Sequence, residues 1–161
     1  MSTRRAFLFG TAALAAAGPV VAASPTEARF AASPWRRISD AEWRRRLGGP
    51  AWSVLRHEGT ETPGSSRLLG EKRKGTFVCA GCGLALFKSE WKYESGTGWP
   101  SFWTVIKSNI GTKTDLKLGL PRTEYHCAQC LGHQGHVFDD GPRPTGLRYC
   151  NNGVALRFVP A

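Results

Sequence analysis

The sequence predicts a mainly β protein with one folded domain and short helices near its N-terminal end. Three observations lead there. The 161 residues include 19 Gly and 10 Pro, which interrupt helices and supply turns, beside 8 Phe, 6 Trp and 3 Tyr, which suit pleated strands. From Gly75 onward the apolar runs are short and bounded by Gly, Pro or Asn, the punctuation of successive strands. A chain of this length supports a single core. Charged residues at 21% and hydrophobic ones at 41% lie well outside the composition of disordered chains.

Residues 1–23 read as an address. Arg4 and Arg5 precede an acid-free apolar stretch from Ala6 to Ala23, and Val21-Ala22-Ala23 offers small residues for cleavage, the layout of a signal peptide. Paired arginines before a mild, Ala-rich core resemble a twin-arginine signal, which exports chains already folded and implies a periplasmic or secreted protein. The stretch is at the lower limit for spanning a membrane, so no stable membrane anchor is expected. Loss of Arg4 and Arg5 lowers the formal net charge from +10 to about +8, so the basicity belongs to the domain.

Residues 24–37 are rich in Pro, Ser and Ala without periodicity and are expected to be a flexible linker, leaving 38–161 as the domain. A helix follows Ser39, which with Glu42 makes a capping box, while Ile38 is placed to pack on Trp43. Gly48-Gly49 stops it, and Pro50 starts a short second one through Leu55. Strands are expected at Thr76–Val78, Leu84–Phe87, Trp103–Ile106, Glu124–His126, His136–Phe138, Leu147–Cys150 and Val154–Val159.

The five cysteines divide into four and one. Cys79-Ala80-Gly81-Cys82 and Cys127-Ala128-Gln129-Cys130 are two C-x2-C knuckles. Each tight turn can aim two thiolates at one ion, and two turns complete a closed tetrahedron, the pattern of a structural Zn2+ site. Two disulfides are the competing arrangement in an oxidising compartment. A C-x-x-C redox pair fits less well, because no βαβ pattern surrounds either knuckle. His133 could also replace a cysteine among the ligands. Folding around zinc before export would protect the thiolates, so the signal and the metal site agree.

Cys150, in Arg148-Tyr149-Cys150-Asn151-Asn152, is unpaired. A small buried hydrophobe is one reading of it. Its company suggests another, because His133 and His136 follow the second knuckle and Arg148 stands two residues from the sulfur. Positive neighbours lower a thiol's pKa and make it a nucleophile.

Three segments in order carry a resemblance: Ser95-Gly96-Thr97-Gly98-Trp99-Pro100-Ser101-Phe102, Gly132-His133-Gln134-Gly135-His136-Val137-Phe138-Asp139-Asp140-Gly141-Pro142, and the Cys150 segment. With both knuckles, they resemble the B-type methionine sulfoxide reductases, enzymes specific for the R epimer at sulfur in peptide-bound methionine sulfoxide. The resemblance runs from about Ile38 to Phe158. It implies two antiparallel sheets in a barrel- or tent-like arrangement with short N-terminal helices, and one structural zinc on Cys79, Cys82, Cys127 and Cys130, with no organic cofactor. It also implies Cys150 as nucleophile, His133 and His136 around the sulfoxide oxygen, Trp99 against the substrate methyl, and Asn152 and Arg148 orienting and tuning the site. Phe102 is expected beside Trp99 against the substrate.

Members that resolve the sulfenic acid internally often carry Cys where this chain has Thr97, so the expected reductant is external, a thioredoxin-like protein or a small thiol. Gln134 and Gly153 are smaller departures from the family. The alternative function, a zinc-ribbon-like module holding a polyanion, rests on the charge alone. Scattered basic residues and an exported location argue against nucleic acid as a partner.

Overall fold

The computed structural model describes residues 24–161, and the expected signal peptide lies outside the described residues. Three short helices precede the strands: α1 (Pro25–Ala28), α2 (Asp40–Leu47) and α3 (Gly49–His57). The Ser39 hydroxyl accepts the Glu42 N–H at 3.3 Å and so satisfies one free donor of the first turn of α2. The Glu42 carboxylate bonds Arg45 and Arg46 one turn on. Gly48, at φ 73°, ends α2 and turns the chain directly into α3, which closes on Glu58 in the left-handed region. Trp43, Val54 and Leu55 are the buried residues of this pair of helices.

Segment 24–37 carries α1 and a 3-10 turn at Pro34–Arg37. Its Arg36 guanidinium donates to the carbonyls of Ala128 and Gln129 in the second knuckle, at 2.7 and 3.4 Å. Glu27 reaches His126 at 2.8 Å.

Two antiparallel sheets make up the rest. The smaller has the order β2-β1-β9, from β1 (Gly75–Cys79), β2 (Ala85–Lys88) and β9 (Leu156–Pro160). The larger has the order β3-β4-β8-β7-β6-β5. Its strands are β3 (Lys92–Tyr93), β4 (Ser101–Phe102), β5 (Ile110–Asp115), β6 (Arg122–Cys127), β7 (His133–Phe138) and β8 (Arg148–Asn151). Aromatic residues from both sheets share one core: Phe77 and Phe87 meet Phe102, and Tyr125 packs edge-on against Tyr149.

Two local expectations change. Trp103–Ile106 is not a strand, because its amides find single partners, Trp103 N–H on the Trp91 carbonyl and Ile106 N–H on that of Leu86, rather than a ladder. Ile110–Asp115 is a strand whose central residues Thr112, Lys113 and Thr114 are exposed at the sheet edge, so it lacks an apolar run.

The register positions the chemistry. Ser101, Cys150, His136, Glu124 and Lys113 lie directly opposite one another on five adjacent strands and form one row across the large sheet. Gly135 faces Asn151 in the next row, where a Cβ would overlap the carbonyl oxygen of Cys150, so glycine is what allows β7 and β8 to approach there.

Candidate active site and metal centre

An open cavity of about 120 Å³ lies over this row, and Trp99, His136, Cys150 and Asn152 line it together with Thr60, Arg122 and Phe138. Each wall is held from behind. The Trp99 indole N–H donates to the Glu61 carbonyl at 3.1 Å, which orients the ring. Asn152 donates through Nδ2 to the Gln134 carbonyl at 3.0 Å and accepts the Glu61 N–H at 3.0 Å. The Glu61 carboxylate in turn accepts the N–H groups of Gly153 and Val154, so one residue of the 58–65 loop holds both the indole and the turn after Cys150. A side chain at Gly153 would collide with Ser66, which gives that departure from the family a steric reason.

Arg148 and Phe102 act from outside the cavity. The Arg148 guanidinium binds Asp140 through two bonds of 2.7 and 2.8 Å and lies 4.3 Å from the Phe138 ring centroid. Phe102, expected at the substrate, is fully buried and stacked on Phe87 at 4.0 Å. The alternation of β4 turns it to the core face opposite the Ser101–Cys150 row.

The two histidines separate in role. His136 lies opposite Cys150 in the cavity and bonds through Nε2 to Asp115 Oδ2 at 2.7 Å. Burial holds its pKa below the ordinary value against the pull of Asp115. The Asp115 carboxyl is held well below the carboxylate range by the Lys117 amide, His136 and Arg122. The hydrogen-bond network therefore assigns the His136 proton to Nε2, facing Asp115, and leaves Nδ1 an acceptor. His133 is buried, with its ring centroid 5.5 Å from that of His136, and bonds through Nδ1 to Glu124 at 2.7 Å. It lines a neighbouring cavity of about 260 Å³ with Glu124 and His126 rather than the one holding Cys150.

Glu124, only 2% exposed, accepts from both His133 and His126. Desolvation alone would raise its pKa, but the two histidines outweigh it and hold the carboxyl at about 2. Nothing in the sequence marks His126, Glu61, Asp115, Arg122 or Glu124 as site residues. None belongs to a recognisable local motif; strand register and, for Glu61, the packing of the 58–65 loop bring them to the site.

The expected lowering of the Cys150 pKa is reversed. Burial pushes the thiol up, and the Arg148 charge and hydrogen bonds from Thr97 and Arg148 offset this only in part. Proximity of a guanidinium, legible in sequence, does not outweigh desolvation, which is not.

The other four cysteines converge where the β1–β2 turn meets the β6–β7 turn. Their sulfurs all lie within 4.8 Å of one another, with Cys79–Cys130 at 3.6 Å and Cys82–Cys127 at 3.4 Å. Those spacings match the edge of about 3.8 Å of a sulfur tetrahedron around zinc. They exceed the roughly 2.05 Å of a disulfide. Hydrogen bonds from Cys127, Cys130 and Cys82 pull Cys79 well below the ordinary thiol pKa, while its contact with Cys127 pushes Cys130 well above it. A divalent cation lets all four ionise together, so the donor set fits a metal ion. The fully buried Gln134 directs its amide N–H at Cys79 Sγ, 3.5 Å away, while its backbone carbonyl holds Asn152.

A half-buried thiol that shares a cavity with an indole and an imidazole, on antiparallel sheets clamped by four further cysteines, defines a thiol-dependent reductase. The SelR domain family matches residues 47–160. The peptide methionine sulfoxide reductase MsrB of Leptospira interrogans is 50% identical over 121 residues, 74% of this chain and 92% of that protein. Its namesake from Bradyrhizobium diazoefficiens is 50% identical over 123 residues, 76% of this chain and 88% of its own length. The one from Caulobacter vibrioides is 54% identical over 110 residues, 67% and 69% of the two chains. This chain belongs to the SelR-domain family, the B-type methionine sulfoxide reductases.

Proposed function

We propose that Cys150 is the nucleophile with which this enzyme reduces the R epimer of methionine sulfoxide in peptides and proteins. The observation that carries the proposal is the cavity in which Cys150 meets Trp99, His136 and Asn152. The indole face takes the substrate methyl, which leaves the sulfoxide oxygen to the polar wall, and fixing both substituents selects the epimer. His136, which lines the same cavity and bonds Asp115 through Nε2, takes up the thiol proton at Nδ1 as the sulfur attacks. The Cys150 sulfur bonds to the sulfoxide sulfur as the oxygen takes up the proton, and the adduct collapses when the S–S bond and the substrate S–O bond break and the hydroxyl passes to the Cys150 sulfur. The products are methionine and a sulfenic acid, so the substrate gains the two electrons that the protein thiol loses. His133, buried on Glu124, backs the His136 ring from 5.5 Å away, and Asn152 and Arg148 steady the turn and the charge around the sulfur.

An external thiol closes the cycle. Thr97 stands beside Cys150 where a resolving cysteine would be, and the other four thiols belong to the cluster. Two equivalents of a small thiol, or one dithiol of a thioredoxin-like protein, convert the sulfenic acid to thiol and water and leave as a disulfide. Cys79, Cys82, Cys127 and Cys130 hold one structural Zn2+, which contributes to folding and not to the reaction. Residues 1–23 direct the folded enzyme out through the twin-arginine route to the periplasm or beyond. Among the described residues no helix is long and apolar enough to cross a membrane.

A polyanion-binding role is disfavoured by the match of residues 47–160 to the SelR domain and by relatives of about 50% identity that are peptide methionine sulfoxide reductases.

Cys150→Ser is the decisive variant. It is expected to abolish consumption of the R epimer, while melting temperature and bound metal stay at wild-type values. Residual turnover above about 1% of wild type would assign the attack to another thiol.

A further inference from the structure

The turn joining β5 to β6 carries Leu116, Leu118 and Leu120, exposed at 66, 72 and 73%, the three most exposed large hydrophobic residues among those described. A small protein rarely presents such a cluster to water without a use for it. Beside it lies a cavity of about 470 Å³ of mixed character, in which Pro121, Val137, Phe138, Leu147 and Tyr149 stand beside Arg122, Asp139 and two threonines. Arg122 and Phe138 line the Cys150 cavity as well, so the two hollows share a wall. The hairpin is tied to the reacting centre at its base, because Asp115 binds both Arg122, at 2.6 Å, and His136, at 2.7 Å.

We propose that the leucine turn and the cavity beside it form a docking surface for the apolar residues flanking the oxidised methionine in a substrate polypeptide. The proposal rests on the methionine sulfoxide reading and adds a sequence preference to it. Methionine is usually found among apolar neighbours, and its oxidation to a polar sulfoxide disrupts that packing. The damaged segment therefore presents a sulfoxide within an otherwise apolar stretch, which matches a thiol cavity with exposed leucines and a second hollow just across a shared wall. The shared wall argues for the substrate itself as occupant, because a chain whose sulfoxide reaches Cys150 has its flanking residues within reach of Arg122 and Phe138, which also line the larger hollow. Leucines at the rim would cover flanking side chains that the Cys150 cavity, about 120 Å³, cannot contain.

The test compares three R-sulfoxide substrates: N-acetylmethionine sulfoxide, a short peptide with Leu and Val on either side of the sulfoxide, and the same peptide with Ser and Gly there. Wild type is expected to favour the apolar peptide over the polar one about tenfold in kcat/KM, through KM. The double variant Leu118→Ser/Leu120→Ser should lose about five- to tenfold on the apolar peptide alone, with kcat at saturation and the N-acetylmethionine sulfoxide rate unchanged. Should the double variant lose activity on every substrate through a disturbed hairpin, the single variant Leu118→Lys, at the exposed tip, decides the question.

Equal rates on the two peptides in wild type, or a preference that survives in these variants, would overturn the docking surface. Binding of zwitterionic vesicles that the double variant abolishes, without any peptide preference, would replace it with a membrane contact. Failure of wild type to reduce all three substrates would sink the assigned reaction instead. Fluorescence anisotropy of the labelled apolar peptide, on wild type against the double variant, would then judge the surface by itself.

Discussion

At Cys150 two influences oppose each other. Burial of the sulfur disfavours the thiolate, while the Arg148 charge and the bonds from Thr97 and Arg148 favour it. With burial the larger, the thiol form is the favoured one at neutral pH. Alkylation of Cys150 by iodoacetamide should therefore show a midpoint above the ordinary value of about 8.5. Arg148→Met removes the attraction and should move that midpoint further up, so that alkylation at pH 7 slows several-fold. A midpoint below 7 in wild type would mean that Arg148 dominates after all. Phe102, by contrast, contributes only to the core.

The elements that matter are the strands of the large sheet and the loop before β4. Glu124 on β6 is a carboxylate held at about 2 by His126 and His133. A carboxyl whose folded pKa is depressed stabilises the fold above its unfolded pKa, about 4.3, and that contribution is lost as pH falls through the folded value. Wild type should therefore lose stability more steeply than Glu124→Gln between about pH 4.3 and 2, as urea unfolding across that range would show. Parallel acid profiles for the two would place the stabilising carboxylate elsewhere.

The loop carrying Thr97 makes its own prediction, because it meets Cys150. In Thr97→Cys, one equivalent of R-sulfoxide should leave a disulfide between residues 97 and 150, whereas wild type should consume one thiol and leave none. Recovery from wild type of a disulfide joining Cys150 to Cys79, Cys82, Cys127 or Cys130 would draw the metal site into the catalytic cycle.

On the scale of the whole molecule, the cysteine cluster joins the two sheets. Cys79 ends β1 of the small sheet and Cys127 ends β6 of the large one. Gln134, between the two site histidines, reaches the cluster with its side chain and the Cys150 turn with its backbone. Chelation, or Cys82→Ser, should leave less than one equivalent of zinc and lower the melting temperature by about 10 °C or more, since a structural zinc site supplies folding free energy directly. A wild-type protein with no zinc and two disulfides by peptide mapping would reject the metal centre and put covalent cross-links in its place.

Much of this is local and could be read from the chain alone. The Ser39 cap, the Gly48-Gly49 stop, the strand-and-turn rhythm after Gly75 and the two knuckles each depend on residues a few positions apart, whose conformational preferences act wherever the segment lies. The company of Cys150 was legible for the same reason, since Arg148 and Asn152 are its neighbours in sequence. Tertiary structure decided what depends on register and burial. It sent Phe102 inward, kept Trp103–Ile106 out of the sheet and made a strand of the polar segment Ile110–Asp115. It set Glu124 between two histidines and raised the Cys150 pKa that a nearby arginine had suggested would fall. Cross-strand neighbours are far apart in the chain, and desolvation depends on everything packed around a group, so neither is encoded in any short stretch of sequence.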